Sequence, residues 1–241
     1  MLRLTGFLAL VLLLCLAGPA DAAHAHKPEQ VGGVARGHSP ESATEIEDPQ
    51  VSQVFYSELR GPADYRKFTG KRGEEALIQI GVPRIERLRD FRPEAVLIGP
   101  ALPAASKTLP IEMPRGMGAV EIRFRTGAEP DEFFEPFSMT RSWVAPEYRE
   151  RLPATGEYYV AVFDPSGTRG KYWLAVGEVE RFGPYDWLTL PATLWKVREF
   201  HEVAPWPVLI VPAALLAVAC VVFFALYKTL FRMKSPDSPT P

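Results

Sequence analysis

The chain contains no asparagine, so it has no N-glycosylation sequon. Its two cysteines, Cys15 and Cys220, both lie inside apolar runs, which leaves the polar part of the protein without a disulfide. Its core must therefore hold it together unaided. Between residues 49 and 182 there is neither histidine nor cysteine. Within that window, histidine-based nucleophilic triads, thiol catalysis and the usual zinc sites are excluded. Charge of one sign is not in excess either: 27 basic and 29 acidic residues give a net −2. That balance argues against nucleic acid as a partner.

What the sequence does have is one long apolar run, residues 208–227, twenty residues without a charge. At about 1.5 Å per residue it spans roughly 30 Å, the hydrocarbon thickness of a bilayer. We expect a transmembrane helix over 206–227, with Trp206 and Tyr227 as interfacial anchors. Lys228, Arg232 and Lys234 follow it, whereas Glu199 and Glu202 accompany Arg198 before it. This asymmetry predicts a cytoplasmic tail, 228–241, and an extracytoplasmic N-terminal part, the single-pass type I arrangement in a cell membrane.

The N-terminus agrees with export. Arg3, the apolar stretch 6–16 and the small-x-small Ala20-Asp21-Ala22 compose a signal peptide over 1–22, with cleavage after Ala22 or Ala23. An uncleaved N-terminal anchor is the alternative. Residues 23–48 carry few large apolar residues and read as a flexible, histidine-containing leader.

From residue 51 the texture changes to short apolar segments separated by Gly, Pro and Asp. Strands are expected at 51–59, 65–69, 75–82, 95–98, 119–125, 137–144, 157–164 and 170–176. In the fifth of these Val120, Ile122 and Phe124 alternate with Glu121, Arg123 and Arg125. Eight such segments predict a mainly β protein whose ectodomain, 49–182, is an antiparallel β-sandwich. Residues 155–177 read most simply as a β-hairpin across the turn Asp164-Pro165-Ser166-Gly167. In 183–205 a short amphipathic helix is expected, with Pro191 in its first turn. It lies at the outer membrane surface with Trp187 and Trp195 at headgroup level, or packs against the open end of the sandwich.

The run Gly61-Pro62-Ala63-Asp64-Tyr65-Arg66-Lys67-Phe68, then Gly73 and the strand 76–82, resembles the opening of bacterial pre-peptidase C-terminal (PPC-like) β-sandwich domains. EAVLIGP at 94–100 is similar to that family's central strand, and TGEYYVAV with GKYWLAVG to its closing pair. The resemblance covers roughly 41–177. Arg66 stands where the family often has a second aromatic, and 101–151 is longer than the family leads one to expect. The resemblance implies a jelly-roll-like sandwich and an accessory role, as a carbohydrate- or protein-binding module, with calcium bound in some members.

Two sets of residues carry candidate chemistry. His24, His26 and His38 in the leader supply imidazoles, and near a new N-terminus an α-amine, for Cu(II) or Ni(II); the alternative is a leader that merely contains histidines. In 129–148, Glu129, Asp131, Glu132 and Glu135 offer oxygens for Ca²⁺, and Phe133, Phe134, Phe137 and Trp143 an aromatic platform for a sugar or partner. Packed aromatics beside a solvated acidic loop are the competing account. The arginine-rich run 84–92 is expected to be a short solvated helix or loop with Ile85, Leu88 and Phe91 inward.

The expected function is a non-enzymatic, membrane-anchored extracytoplasmic binding or accessory module. It would present its sandwich to a membrane-protein partner, an envelope polymer or a glycan. Metal handling through the histidine leader is the alternative, and a carboxylate-based hydrolase a third.

Overall fold

A computed structural model of the chain describes residues 27–33, 37–105, 108–181 and 183–232. The expected signal peptide, His24, His26 and residues 233–241 lie outside them. Twelve strands form two facing sheets. The first runs β1 (Lys27–Gly33), β3 (Gln53–Leu59), β12 (Gly170–Val176), β5 (Glu75–Pro83), β9 (Thr140–Val144), β8 (Asp131–Glu135), with β10 (Tyr148–Arg151) also paired to β5. The second runs β2 (Thr44–Glu45), β4 (Ala63–Gly70), β11 (Gly156–Phe163), β6 (Glu94–Gly99), β7 (Gly118–Ile122). Among the described strands all pairings are antiparallel except β1 with β3 and β2 with β4. Thus two pieces of the segment expected to be a flexible leader are strands that extend sheet edges.

The alternation visible in the sequence builds the interior. Phe55, Phe68, Ile78, Ile80, Leu97, Ile122, Val160 and Leu174 face inward between the sheets. At two places a backbone passes so close to a ring that only glycine fits. A Cβ on Gly81 would lie 2.2 Å from Trp173, and one on Gly99 2.1 Å from Tyr158.

β11 and β12 do not form the expected hairpin. β11 pairs with β4 and β6, β12 with β3 and β5, so the chain crosses from one sheet to the other at residues 164–169. Asp164 Oδ1 holds this crossing by accepting from the backbone N–H of Ser166 (2.9 Å) and Thr168 (3.1 Å). The reason is burial on both faces. Tyr158, Val160 and Val162 point into the sandwich while Tyr159, Ala161 and Phe163 are covered from outside. A strand buried on both faces belongs at the centre of a sheet, flanked on both edges.

Those outer faces are covered by different devices. Over the second sheet lies the β6–β7 connection, whose Leu109 is buried and whose Ile111, Met113 and Met117 pack against Tyr65, Ile98 and Phe163. Tyr65 pins it, its hydroxyl donating to the Glu112 carbonyl (3.1 Å) and accepting the Glu112 N–H (2.8 Å). This cover, with β8 and β10, accounts for the unusual length of 101–151. Over the first sheet lies helix α1 (Pro184–Phe200), which sets Val197 and Phe200 against Val54, Tyr56 and Trp173. Pro191 sits inside α1 rather than in its first turn, which Pro184 opens. Beyond a 3-10 turn, Trp206–Leu209, helix α2 runs Ile210–Arg232 and is long and apolar enough to cross a membrane.

Candidate functional site

The most specific chemistry lies where the end of α1 meets the first sheet. On β9, Thr140, Ser142 and Val144 share the outward face; on β12, Trp173 does. α1 brings His201 down onto them. The His201 Nδ1 faces the Val197 carbonyl at 2.8 Å, and a carbonyl only accepts, so Nδ1 carries the ring proton. Nε2 is then an acceptor for the Ser142 hydroxyl at 3.2 Å, and Ser142 Oγ in turn accepts from Trp173 Nε1 at 2.9 Å. The relay runs in one direction: indole, hydroxyl, imidazole, carbonyl. Burial disfavours charge on His201 and holds its pKa down at about 4, with Lys171 and Arg198 adding to the effect and the Val197 bond opposing it.

This pairing falls outside the exclusion drawn for residues 49–182. A histidine does reach a serine of the sandwich, because residue 201 lies outside the window 49–182 yet folds back onto it. The pair resembles a nucleophile and its base, but among the described residues the imidazole is oriented by a backbone carbonyl, not a carboxylate. Ser142 is moreover buried. A largely apolar cavity of about 140 Å³ lies beside the relay, lined by Tyr56, Phe133, Phe137, Trp173, Trp187 and Leu194 among others. The only signal in the sequence was the single histidine just before the apolar run.

Other contacts make the same place a joint. Buried Arg198 donates to the carbonyls of Ser138 (2.6 Å), Met139 (3.2 Å) and Ala204 (2.5 Å). α1 ends in a Schellman motif: Glu202 N–H bonds the Glu199 carbonyl and Val203 N–H the Arg198 carbonyl, with Glu202 at φ 58° in the left-handed position where glycine is usual. Glutamate there gains charge partners that glycine would lack. Its carboxylate pairs with Lys171 at 2.8 Å and with Arg87, and Lys171 also reaches the Phe200 carbonyl. α1, the first sheet and the approach to α2 are thus tied together by these side chains. The first turn of α1, in contrast, exposes Tyr185, Trp187 and Leu188.

The residues singled out in 129–148 are dispersed by strand pairing. β8 alternates, so Phe133 faces the α1 cavity, with Trp173 at 6.3 Å between centroids, whereas Phe134 faces the other way under Arg141. Phe137 is exposed at the cavity, and Trp143 is buried in the sandwich interior. They form no common platform. The carboxylates likewise separate: Asp131 pairs with Arg125 (3.2 Å), Glu132 with Arg84 (3.0 Å), and Glu135 accepts the N–H of Phe137 (3.0 Å) in its own turn. Among the described residues no group of three His, Cys, Asp or Glu could hold a metal ion.

Of the leader histidines, His38 is described. Its Nδ1 lies 3.4 Å from Asp64 Oδ1 and 3.3 Å from the Ala63 carbonyl. Asp64 is buried; Tyr172 donates to its Oδ2 at 2.8 Å, while Oδ1 has no well-formed hydrogen bond. Burial pushes the Asp64 pKa up to about 6 against the opposing pull of Tyr172, His38 and Arg66. Arg66 shares this inner face, buried 4.1 Å over the Phe55 ring. The aromatic contact expected at that position is therefore made by a guanidinium stacking on a neighbour's ring.

No protein-family model matches the chain, and no curated protein does. Among solved structures, it is similar to the pre-peptidase C-terminal domain of a collagenase from Bacillus anthracis, at 12% identity and TM-score 0.31, covering 56% of this chain and 94% of that one. It is also similar to PliG, a periplasmic inhibitor of g-type lysozyme from Aeromonas hydrophila, at 15% identity and TM-score 0.28, covering 64% and 98%. A third is CorA, a surface-associated copper-binding protein of Methylomicrobium album BG8, at 10% identity and TM-score 0.30, covering 61% and 100%. Likeness at this level says nothing of ligand or activity.

Proposed function

We propose that the chain is a non-enzymatic extracytoplasmic accessory module, exported by its N-terminal signal and anchored by α2 with its tail in the cytoplasm. Its sandwich is presented to another membrane protein. The observation that supports this reading is the joint. An ordinary tether would let the domain sample many poses, whereas Arg198, His201, Glu202 and Lys171 fix the sandwich to the segment that enters the span. A fixed pose favours a partner that is itself held in the membrane over a diffusing ligand. Affinity purification of the full-length protein from native membranes in mild detergent, followed by mass spectrometry, tests it. A stoichiometric integral-membrane partner is expected, and recovery of the protein alone would overturn the reading.

Metal handling is the second reading. It is favoured by His38, whose imidazole stands beside the incompletely satisfied, buried Asp64 oxygen. Copper titration of the mature protein should then weaken in His38→Ala and in the double variant His24→Ala, His26→Ala. Unchanged affinity in both rejects it.

A further inference from the structure

A second recess, of about 490 Å³, opens away from α1. It is lined by Arg84, Glu86, Arg89, Arg92, Glu129, Glu132 and Trp143. Apart from the buried Trp143, every lining residue is charged, so the recess offers nothing to an apolar side chain. Four of its charges are already matched in pairs: Arg84 holds Glu132 at 3.0 Å and Arg89 holds Glu86 at 3.6 Å.

Arg92 differs. Its guanidinium is clamped over two rings, 5.3 Å from the Phe124 centroid and 5.4 Å from that of Trp143, and a single bond to the Phe91 carbonyl (2.8 Å) occupies one of its five N–H donors. Among the described residues no carboxylate lies within ion-pairing distance of it; Asp90 and Glu129 act on it only at longer range. Partial burial holds its pKa below that of a free guanidinium, against the opposing pull of Asp90 and Glu129. Glu129, lining the same recess, has no ion pair among the described residues either. A planar fork whose rotamer is fixed in advance suits a planar anion, since little entropy remains to be lost on binding. The unpaired carboxylate beside it suits hydroxyl donors.

We infer that this recess binds a carboxylate-bearing saccharide, its carboxylate on the Arg92 guanidinium and its hydroxyls on Glu129 and Glu86. The site is independent of the accessory role and does not use the aromatic residues expected to form a sugar platform. Trp143 serves beneath the arginine instead, as the surface that holds it flat.

The test is calorimetric titration of the full-length protein in detergent with trigalacturonate, a neutral galactose trimer and inorganic phosphate. Trigalacturonate should bind, and Arg92→Lys, which keeps the charge but loses the fork, should weaken it about tenfold or more. Glu129→Gln should weaken it as well, and Arg60→Gln, at an exposed arginine outside the recess, should change nothing. Should Arg92→Lys lose its native melting transition, Glu129→Gln, which disturbs no packing, carries the test. The assignment fails if the wild-type protein does not bind trigalacturonate, if the neutral trimer binds equally well, or if affinity survives Arg92→Lys and Glu129→Gln in folded protein. Phosphate binding as tightly would reveal a bare anion site and would likewise overturn the saccharide.

Discussion

Two buried groups give the domain opposing responses to pH, and the opposition can be exposed one residue at a time. Asp64 has its pKa raised from an ordinary 3.8 to about 6, so the folded protein binds the extra proton between those values. Its contribution to stability is full at low pH and is lost as pH rises through 6. His201 has its pKa lowered from 6.5 to about 4, so there the unfolded chain binds the extra proton. Its contribution is full above 6.5 and is lost as pH falls towards 4. Each shift corresponds to about 3 kcal/mol, and because the windows overlap the wild-type protein should change little in stability between pH 4 and 6.5 from these two groups. Asp64→Asn mimics the neutral acid and should stabilise the protein by about 3 kcal/mol at pH 7.5. It should also unmask a steep loss below pH 6.5. His201→Gln should leave the opposite slope, stability declining from pH 4 to 6. Urea unfolding of full-length protein in detergent, followed by tryptophan fluorescence over that pH range, measures both. Variant curves running parallel to the wild type would refute the reasoning.

Three further outcomes are expected. Arg198→Met leaves the carbonyls of Ser138, Met139 and Ala204 without their donor and should cost about 2–4 kcal/mol, with faster proteolysis between α1 and α2. Gly81→Ala forces Trp173 aside, which should break its bond to Ser142, cost about 2 kcal/mol and shift the tryptophan emission. In a Cys220→Ser background, a membrane-impermeant maleimide applied to intact cells should label Thr126→Cys and spare Ser238→Cys. The reverse pattern would invert the proposed orientation.

Much of the sandwich was legible because inward positions such as Val120 and Ile122, or Tyr172 and Leu174, recur at period two between turn residues. The period tells that a segment is a strand but not which strand lies beside it. Hence 155–177, with its strong turn sequence, predicts a hairpin although its halves belong to opposite sheets. The better clue was that both parities of 158–163 are apolar, which demands cover on two faces. β8 and β10 leave no apolar alternation in the sequence because edge strands such as DEFFE and YRER carry charge at most positions and bury little. β1 and β2 are held by parallel pairing to strands already buried, a contact that their own composition does not announce. The relay through Ser142, Trp173 and His201 was invisible for another reason: its members are separated by 31 and 59 residues and meet only once α1 has folded back. By the same token, the pairing of Glu132 with Arg84 depends on β8 and the end of β5 flanking β9.

If α2 spans a bilayer as proposed, the joint at the end of α1 makes bilayer thickness a variable that the sandwich registers. The 23 residues of α2 measure about 34 Å, a little more than an average hydrocarbon core of about 30 Å. Such a helix leans in a thin bilayer and straightens in a thick one. With Ala204 tied through Arg198 to Ser138 in the β8–β9 turn, that lean would be carried outward as a rotation of the β structure instead of being absorbed at a flexible linker. Lipid composition would in this way choose which edge of the domain faces a neighbour.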